Sequence, residues 1–176
     1  MVHSPFKKLS ALADIDFTIL DKRIEFELDT HGHKIQYFNV SSQCVDNFIR
    51  SLGADSKYFY TSFVSVDASV PPHTDIVDRV NINFYIETGN YQTTFYTSPD
   101  NSVRLTYADH GDGHAYLIEE LEPTDSFVAV PGDVYVLNGK VIHGVNSVDA
   151  QERKFLQVST NQLEYDQVLK ILDSVC

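Results

Sequence analysis

Hydrophobic alternation with a period of two runs through most of this 176-residue chain, and that feature restricts it to folds built from short strands. The alternating segments are residues 23–28, 34–40, 57–67, 79–87, 93–97, 103–107, 116–118, 126–130, 134–137, 141–145 and 154–160. They are rich in Val, Ile, Thr, Tyr and Phe, and Gly, Pro, Asn or Asp punctuates the gaps between them. Short strands at regular spacing predict an antiparallel sandwich or barrel.

Only two segments follow a helical period. In 43–52, Val45, Phe48, Ile49 and Leu52 fall at i, i+3, i+4 and i+7, with Ser41 or Ser42 to cap the start and Gly53 to end it. In 162–176, Tyr165, Val168, Leu169, Leu172 and Cys176 form one stripe, and Asn161 with Glu164 reads as a capping box.

Composition narrows the partners. With 25 acidic against 13 basic residues the formal charge is −12, and no run of basic residues is longer than a pair such as Lys7-Lys8. Such a surface repels phosphate backbones, so a nucleic-acid partner is not expected. No apolar stretch approaches the roughly 18 residues of a membrane span, and acidic residues break up the N-terminal segment before it can read as a signal peptide. Without a membrane segment or leader, a cytoplasmic protein is expected. Cys44 and Cys176 lack any CxxC partner and read as two thiols rather than a disulfide or zinc site. The length suits one domain spanning residues 1–176.

Residues 79–87 alternate strictly: Arg79, Asn81, Asn83, Tyr85 and Glu87 against Val80, Ile82, Phe84 and Ile86. A polar strand face ordinarily looks at solvent. In a barrel that holds a ligand it can instead point inward, and the flanking residues favour that. Just upstream, His73 and Asp75 lie two apart on an extended segment, which puts both side chains on one side, within reach of one metal. With seven histidines in the chain, a His-x-acid triplet is expected by chance, so the pair needs a third partner.

His143 supplies it. It follows the turn Pro131-Gly132-Asp133 and an apolar strand, and two His with one carboxylate on one side of a metal leave positions for exchangeable ligands, an arrangement suited to Fe(II). Ten residues later Arg153 opens the next strand, where a guanidinium can clamp a carboxylate through two parallel hydrogen bonds. The pair His31/His33 has no third ligand in register, and His110 and His114, which bracket a Gly-Asp-Gly turn, read as exposed loop histidines. No G-x-S-x-G elbow or phosphate-binding glycine loop occurs.

Taken in order, His73-Thr74-Asp75, Pro131-Gly132-Asp133, His143-Gly144-Val145 and Arg153 resemble the Fe(II)/2-oxoglutarate-dependent oxygenase superfamily, loosely its prolyl-hydroxylase-like branch. The likeness covers residues 57–160. It implies a mainly β double-stranded β-helix (jelly-roll) core with a few buttressing α-helices. It also implies an iron held by His73, Asp75 and His143, and 2-oxoglutarate anchored by Arg153, with Asn83 and Tyr85 touching it. The implied reaction hydroxylates a substrate C–H bond and releases succinate and CO₂. Many members of that branch carry Lys at the anchoring position, which makes Lys154 the alternative clamp. The substrate, a small molecule or a peptide, would enter between residues 87 and 127, where Tyr91, Phe95, Tyr96, Tyr107 and Tyr116 either grip it or pack the sheets. Two other readings stand beside this one. A cupin-like metal protein or dioxygenase would have the same architecture without 2-oxoglutarate and with an exposed, dispensable Arg153. A metal-free β-sandwich interaction module would leave the triad apart.

Overall fold

The computed structural model describes residues 4–9, 18–28, 33–75, 77–99, 104–106, 113–147 and 151–175. Among them the strands in chain order are β1 (Phe6–Leu9), β2 (Thr18–Leu28), β3 (His33–Ser41), β4 (Tyr60–Val66), β5 (Val70–Asp75), β6 (Val80–Glu87), β7 (Gln92–Thr97), β8 (Arg104–Thr106), β9 (Gly113–Tyr116), β10 (Glu122–Val128), β11 (Val134–Asn138), β12 (His143–Asn146) and β13 (Arg153–Thr160). The helices are α1 (Gln43–Ser51) and α2 (Tyr165–Val175).

Two sheets form, one ordered β1-β11-β6-β13-β4-β3-β2 and the other β10-β7-β12-β5-β9-β8. From β4 to β7 successive strands alternate between the sheets, and from β10 to β13 the chain does so again after one return. Two interleaved four-strand sets, β4-β13-β6-β11 facing β5-β12-β7-β10, are a double-stranded β-helix, a cupin-like jelly roll. The expected fold class is what the chain adopts. The β8–β9 hairpin, inserted between the two halves, extends the smaller sheet by pairing on β5.

Each face of the larger sheet packs differently. On its outer face Val80, Ile82 and Phe84 of β6 and Leu156 and Val158 of β13 meet Val45 and Leu52 of the α1 region and Tyr165, Val168 and Leu172 of α2. Phe48 sets its ring edge-on to Phe84 at 5.3 Å. Both helices therefore buttress the sheet, and among the described residues their apolar stripes are the ones the sequence presents; Cys176 lies outside the described residues. Between the sheets lies a second cluster, with Val64, Val66, Tyr85, Phe95, Tyr135 and Phe155 at its centre. Asn81 and Asn83 point into this interior, 6% and 4% exposed, so the polar face of β6 looks inward and not at solvent.

Element boundaries moved where turn chemistry intervened. Residues 57 and 58 close a 3₁₀ helix (Gly53–Tyr58), so β4 starts at Tyr60. Residues 118–120 form a 3₁₀ turn after β9. The strand expected from residue 141 starts at His143, because the Val141 N–H turns back to the Asn138 carbonyl at 3.1 Å. Helix α2 starts at Tyr165 rather than 162. Thr160 Oγ1 first accepts the Gln162 N–H, and the helix start is capped by the Gln167 side chain, which accepts the Glu164 N–H at 2.8 Å. The capping pair is thus Glu164 with Gln167, one turn later than Asn161 with Glu164. At α1, Ser42 caps as expected, accepting the Val45 N–H at 3.4 Å.

The Pro131-Gly132 turn shapes the entry to β11. Gly132 takes φ +88°, the value a type II turn requires at its third residue, and the Asp133 N–H closes the turn on the Val130 carbonyl at 3.0 Å. Its backbone also continues the β6–β11 ladder: Gly132 donates to Tyr85 and Tyr85 to Asp133. The turn thereby fixes the level at which Tyr85 enters the interior.

Candidate metal centre and its cavity

Pairing between β5 and β12 builds the centre. His73 and His143 are direct register partners, and the two-residue side-chain period of β5 puts Asp75 on the same face as His73. The donor atoms of His73, Asp75 and His143 lie within 4.8 Å of one another. His73 Nε2 is 3.5 Å from Asp75 Oδ1, and the two imidazole rings are 4.4 Å apart.

Each histidine is oriented from behind. His73 Nδ1 lies 2.8 Å from the Pro71 carbonyl and His143 Nδ1 lies 2.9 Å from the Val141 carbonyl. A carbonyl only accepts, so both Nδ1 atoms carry the proton, and each Nε2 keeps a lone pair for a metal. Asp75 Oδ2 accepts from Asn81 Nδ2 at 2.9 Å, which leaves Oδ1 toward the histidines. Donors about 2.0–2.2 Å from a metal and on one side of it lie roughly 3 Å from one another, so side-chain rotation that draws the outermost pair in by about 1–2 Å brings the set to bonding distance. The residues fit a His₂-carboxylate centre.

Electrostatics agree with the geometry. Burial, the largest influence on Asp75, opposes its charge, but the His73 hydrogen bond, both nearby imidazoles and Asn81 outweigh it and hold the carboxyl below its ordinary range. Burial likewise opposes protonation of His73, yet Asp75 and the Pro71 carbonyl raise its pKa overall. His143 is pushed down, first by burial and then by His73, with Arg153 adding to it. The carboxylate and the neutral His143 imidazole stand ready as ligands at neutral pH, and any proton on His73 Nε2 leaves when a metal binds.

Beyond the triad runs a cavity of about 100 Å³, lined among others by His73, Asp75, Asn83, Thr93, His143 and Arg153. One water occupies roughly 10–15 Å³ on this measure, so the space holds several waters or one small organic acid. Arg153 is 4% exposed, and its Nη2 donates to Tyr85 Oη at 2.5 Å and to Thr93 Oγ1 at 3.2 Å. Its guanidinium also lies over the Tyr85 ring at 4.6 Å and the Phe155 ring at 5.4 Å. Among the described residues no carboxylate comes within ion-pair distance of it. Lys154, on the opposite face of β13, is spent on Glu87 and Glu152, at 3.0 and 2.8 Å.

Asn83 has an orphan. Its Nδ2 reaches Tyr85 Oη at 3.4 Å, and its Oδ1 is buried without a partner. Because Tyr85 Oη already accepts from Arg153, its own proton can serve Oδ1 if the amide is turned over, and Nδ2 is then the uncommitted end. In both orientations one end of the Asn83 amide faces the cavity unpaired.

Thus the structure brings together His73, Asp75 and His143 and places Arg153 and Asn83 on the same cavity, with Tyr85 outside its lining and reached through Arg153 and Asn83. Sequence reading overlooked Thr93, Ser159 and Gly139. Parity did mark Ser159, six residues from Arg153 on the same strand face, whereas nothing marked Gly139. A Cβ there would fall 2.4 Å from Asp75 Oδ2, so only glycine admits the carboxylate. Tyr91, Phe95 and Tyr96 are buried, at 2%, 0% and 6% exposure. Phe95 stacks on Phe6 at 5.3 Å, which makes it sheet packing rather than part of a substrate mouth. Tyr107, His31 and His110 lie outside the described residues, and His33 and His114 are described only by their backbone.

Comparisons with known proteins add little to this. No protein-family model matches the chain, and no curated protein matches it. Solved structures with some likeness include a point mutant of Bacillus subtilis oxalate decarboxylase, 17% identical with TM-score 0.41 over 78% of this chain and 28% of that one. A second structure of that enzyme, described through its Mn(II) centres, is 15% identical with TM-score 0.40 over the same shares. Peruvianin-I, a cysteine peptidase from Thevetia peruviana latex, is 14% identical with TM-score 0.39 over 61% of this chain and 53% of that one. This chain spans about a quarter of the oxalate decarboxylase chains, and likeness at these levels assigns it no activity.

Proposed function

We propose that the chain is an Fe(II)- and 2-oxoglutarate-dependent oxygenase that hydroxylates a C–H bond of a small-molecule or peptide substrate. The observation that carries this reading is Arg153: a buried guanidinium with no carboxylate partner among the described residues, on the same cavity as a His₂-carboxylate set. An uncompensated buried cation is costly, and a dicarboxylate bridging it to the metal offsets that cost. A metal site that held no acidic ligand would gain nothing from a buried Arg153 without a carboxylate partner.

In this reading His73 and His143 bind iron through Nε2 and Asp75 through Oδ1. Arg153 and Thr93 Oγ1 receive the distal carboxylate, while Tyr85 Oη and the free end of the Asn83 amide orient the molecule between the two ends. Val64, Val66, Leu137 and Phe155 line the same cavity and keep water from the buried charges. When bound, iron and the 2-oxo acid would supply, with O₂ as oxidant, an oxidative decarboxylation that releases CO₂ and puts one oxygen atom into succinate and the other into the substrate C–H bond. Nucleic acid is not among the proposed partners, given the −12 charge. Among the described residues no helix is long and apolar enough to cross a membrane.

The test is anaerobic titration of the Fe(II)-loaded protein with 2-oxoglutarate, following the weak visible charge-transfer band of a chelated 2-oxo acid. We expect a band in the wild type, none in His143→Ala, and a demand for about 10- to 100-fold more co-substrate in Arg153→Ala, the loss of one charge-assisted pair. Iron binding without a band at millimolar co-substrate transfers the site to the cupin-like reading, in which the metal acts without a 2-oxo acid.

A further inference from the structure

Asp75 is held from more directions than a metal ligand needs. Its Oδ2 accepts from Asn81 Nδ2 at 2.9 Å, and Asn81 Oδ1 in turn accepts from Ser159 Oγ at 2.7 Å, between 6% and 2% exposed partners on adjacent strands. Asn81 and Ser159 are direct register partners in the β6–β13 pairing. The Asp75 backbone is also fixed: its N–H donates to the Gly139 carbonyl at 2.8 Å, and Lys140 Nζ donates to its carbonyl at 2.7 Å. Gly139 closes the remaining space beside Oδ2.

The amide orientation follows from charge. Turned over, Asn81 would present its oxygen to Asp75 Oδ2, acceptor against acceptor, whereas Ser159 can serve either end. With Nδ2 on the carboxylate, Ser159 donates to the other end, and turning the amide would replace the Asp75 bond with a contact between two acceptors.

We infer that Asn81, locked by Ser159, is a positioning residue that confines Asp75 to one-oxygen ligation and so keeps the neighbouring position on the metal open. Two consequences follow, resting on the His73–Asp75–His143 metal reading. Asn81 acts on Oδ2 directly, whereas Ser159 acts only through Asn81. Freed of Asn81, the carboxylate either rotates away from the metal or closes onto it with both oxygens, and each outcome alters the ligand field.

The probe is Co(II), titrated into the metal-free protein without oxygen, with its visible bands reporting both affinity and coordination number. Removal of a group that orients a ligand typically weakens metal binding about 10- to 100-fold, and we expect that of Asn81→Ala, together with changed band intensity. Ser159→Ala should weaken binding less, and the double variant should match Asn81→Ala alone. Phe84→Ala, a purely structural lesion on the other sheet face, should leave the bands unchanged. An affinity in Asn81→Ala within about two-fold of wild type overturns the inference, as does a Ser159→Ala effect that persists undiminished on the Asn81→Ala background. Should Asn81→Ala fail to fold, Ser159→Ala decides, and an unchanged affinity there overturns the inference. If the wild type binds no Co(II), the metal reading falls and the inference falls with it.

Discussion

Strand β6 separates two environments that are equally dry and chemically opposite. On its outer side Val80, Ile82 and Phe84 are fully buried against α1 and α2. On its inner side Asn81, Asn83 and Tyr85 are buried to nearly the same degree, yet they carry amides and a hydroxyl. Burial cannot tell these faces apart; partners can. Apolar groups on the outer side gain about 25 cal/mol for each Å² removed from water and ask for nothing in return. Every polar group on the inner side needs a hydrogen bond, and two are not compensated within the described chain: the amide end of Asn83 and the charge of Arg153. The outer face stabilises the fold, and the inner face holds a deficit shaped like a small anion beside a metal set.

The largest effect should come from the outer face. Phe84→Ala removes a fully buried ring that contacts Phe48, and is expected to cost about 3–5 kcal/mol in urea unfolding. Metal affinity per folded molecule should not change. A loss of affinity beyond the loss of folded protein would break the separation of the two faces.

Arg153→Met sharpens the contrast from the inner side. It replaces an uncompensated buried cation by an apolar chain of similar reach, so metal-free stability should hold or rise by about 1 kcal/mol or more despite the lost bonds to Tyr85 and Thr93. Affinity for 2-oxoglutarate should fall about 10- to 100-fold. Stability gained where function is lost marks a residue kept for a ligand. A clear destabilisation would instead make Arg153 a structural cation.

A smaller, pH-dependent effect should appear at the triad. His73 has a raised pKa, so its contribution is fully present below the ordinary 6.5 and is lost as pH rises through the folded value. His143 is lowered, so the unfolded chain takes up its proton more readily and stability falls as pH drops below 6.5. In the metal-free wild type the two slopes meet in a maximum near the ordinary 6.5. Metal-free His143→Phe should keep the loss of stability as pH rises above 6.5 and lack the fall below it in denaturant titrations. Asp75, whose pKa is depressed, adds a separate loss only in acid, as pH falls through its folded value. A His143→Phe variant that gains stability as pH rises above 6.5 would show that His73 is not paired with Asp75.

Much of this molecule was legible from parity alone. Alternation in residues 79–87 and 154–160 marked the two faces of two central strands without saying which looks inward, and His73-Thr74-Asp75 with His143 named three side chains that β5–β12 pairing does bring together. Legibility failed where a backbone group or a single atom decides. Gly139 is required because a Cβ there would fall 2.4 Å from Asp75 Oδ2, which no spacing encodes, and Thr93 reached Arg153 only through the meeting of the two sheets. The start of α2 slipped by one turn because Gln167 competes with Glu164 as the capping side chain, and local sequence offers both. The aromatics of residues 91–96 were ambiguous for a related reason: the same rings suit a mouth or a core, and only packing partners decide between them.

The smallest effect distinguishes two adjacent cations. Arg153 and Lys154 are neighbours in sequence and sit on opposite faces of β13, and either could have been the anchor of a co-substrate. Lys154 is 27% exposed at its side chain and shares its charge between Glu87 and Glu152, which raise its pKa chiefly through their hydrogen bonds. Surface pairs of this kind are worth about 0.2–1 kcal/mol and weaken with salt. Lys154→Ala should therefore cost less than about 1 kcal/mol, the cost should shrink in high salt, and 2-oxoglutarate affinity should stay within about two-fold of wild type. A large affinity loss in Lys154→Ala, with Arg153→Met silent, would exchange the roles of the two residues. It would require β13 to present its other face to the ligand. The whole inner row, Phe155, Gln157 and Ser159 included, would then turn outward with Arg153, because a one-residue slip in a strand reverses every side chain at once. The seven-residue β13–β4 register holds Arg153 opposite Val66 and Ser159 opposite Tyr60, and that pairing ties the choice of anchor to the fold itself.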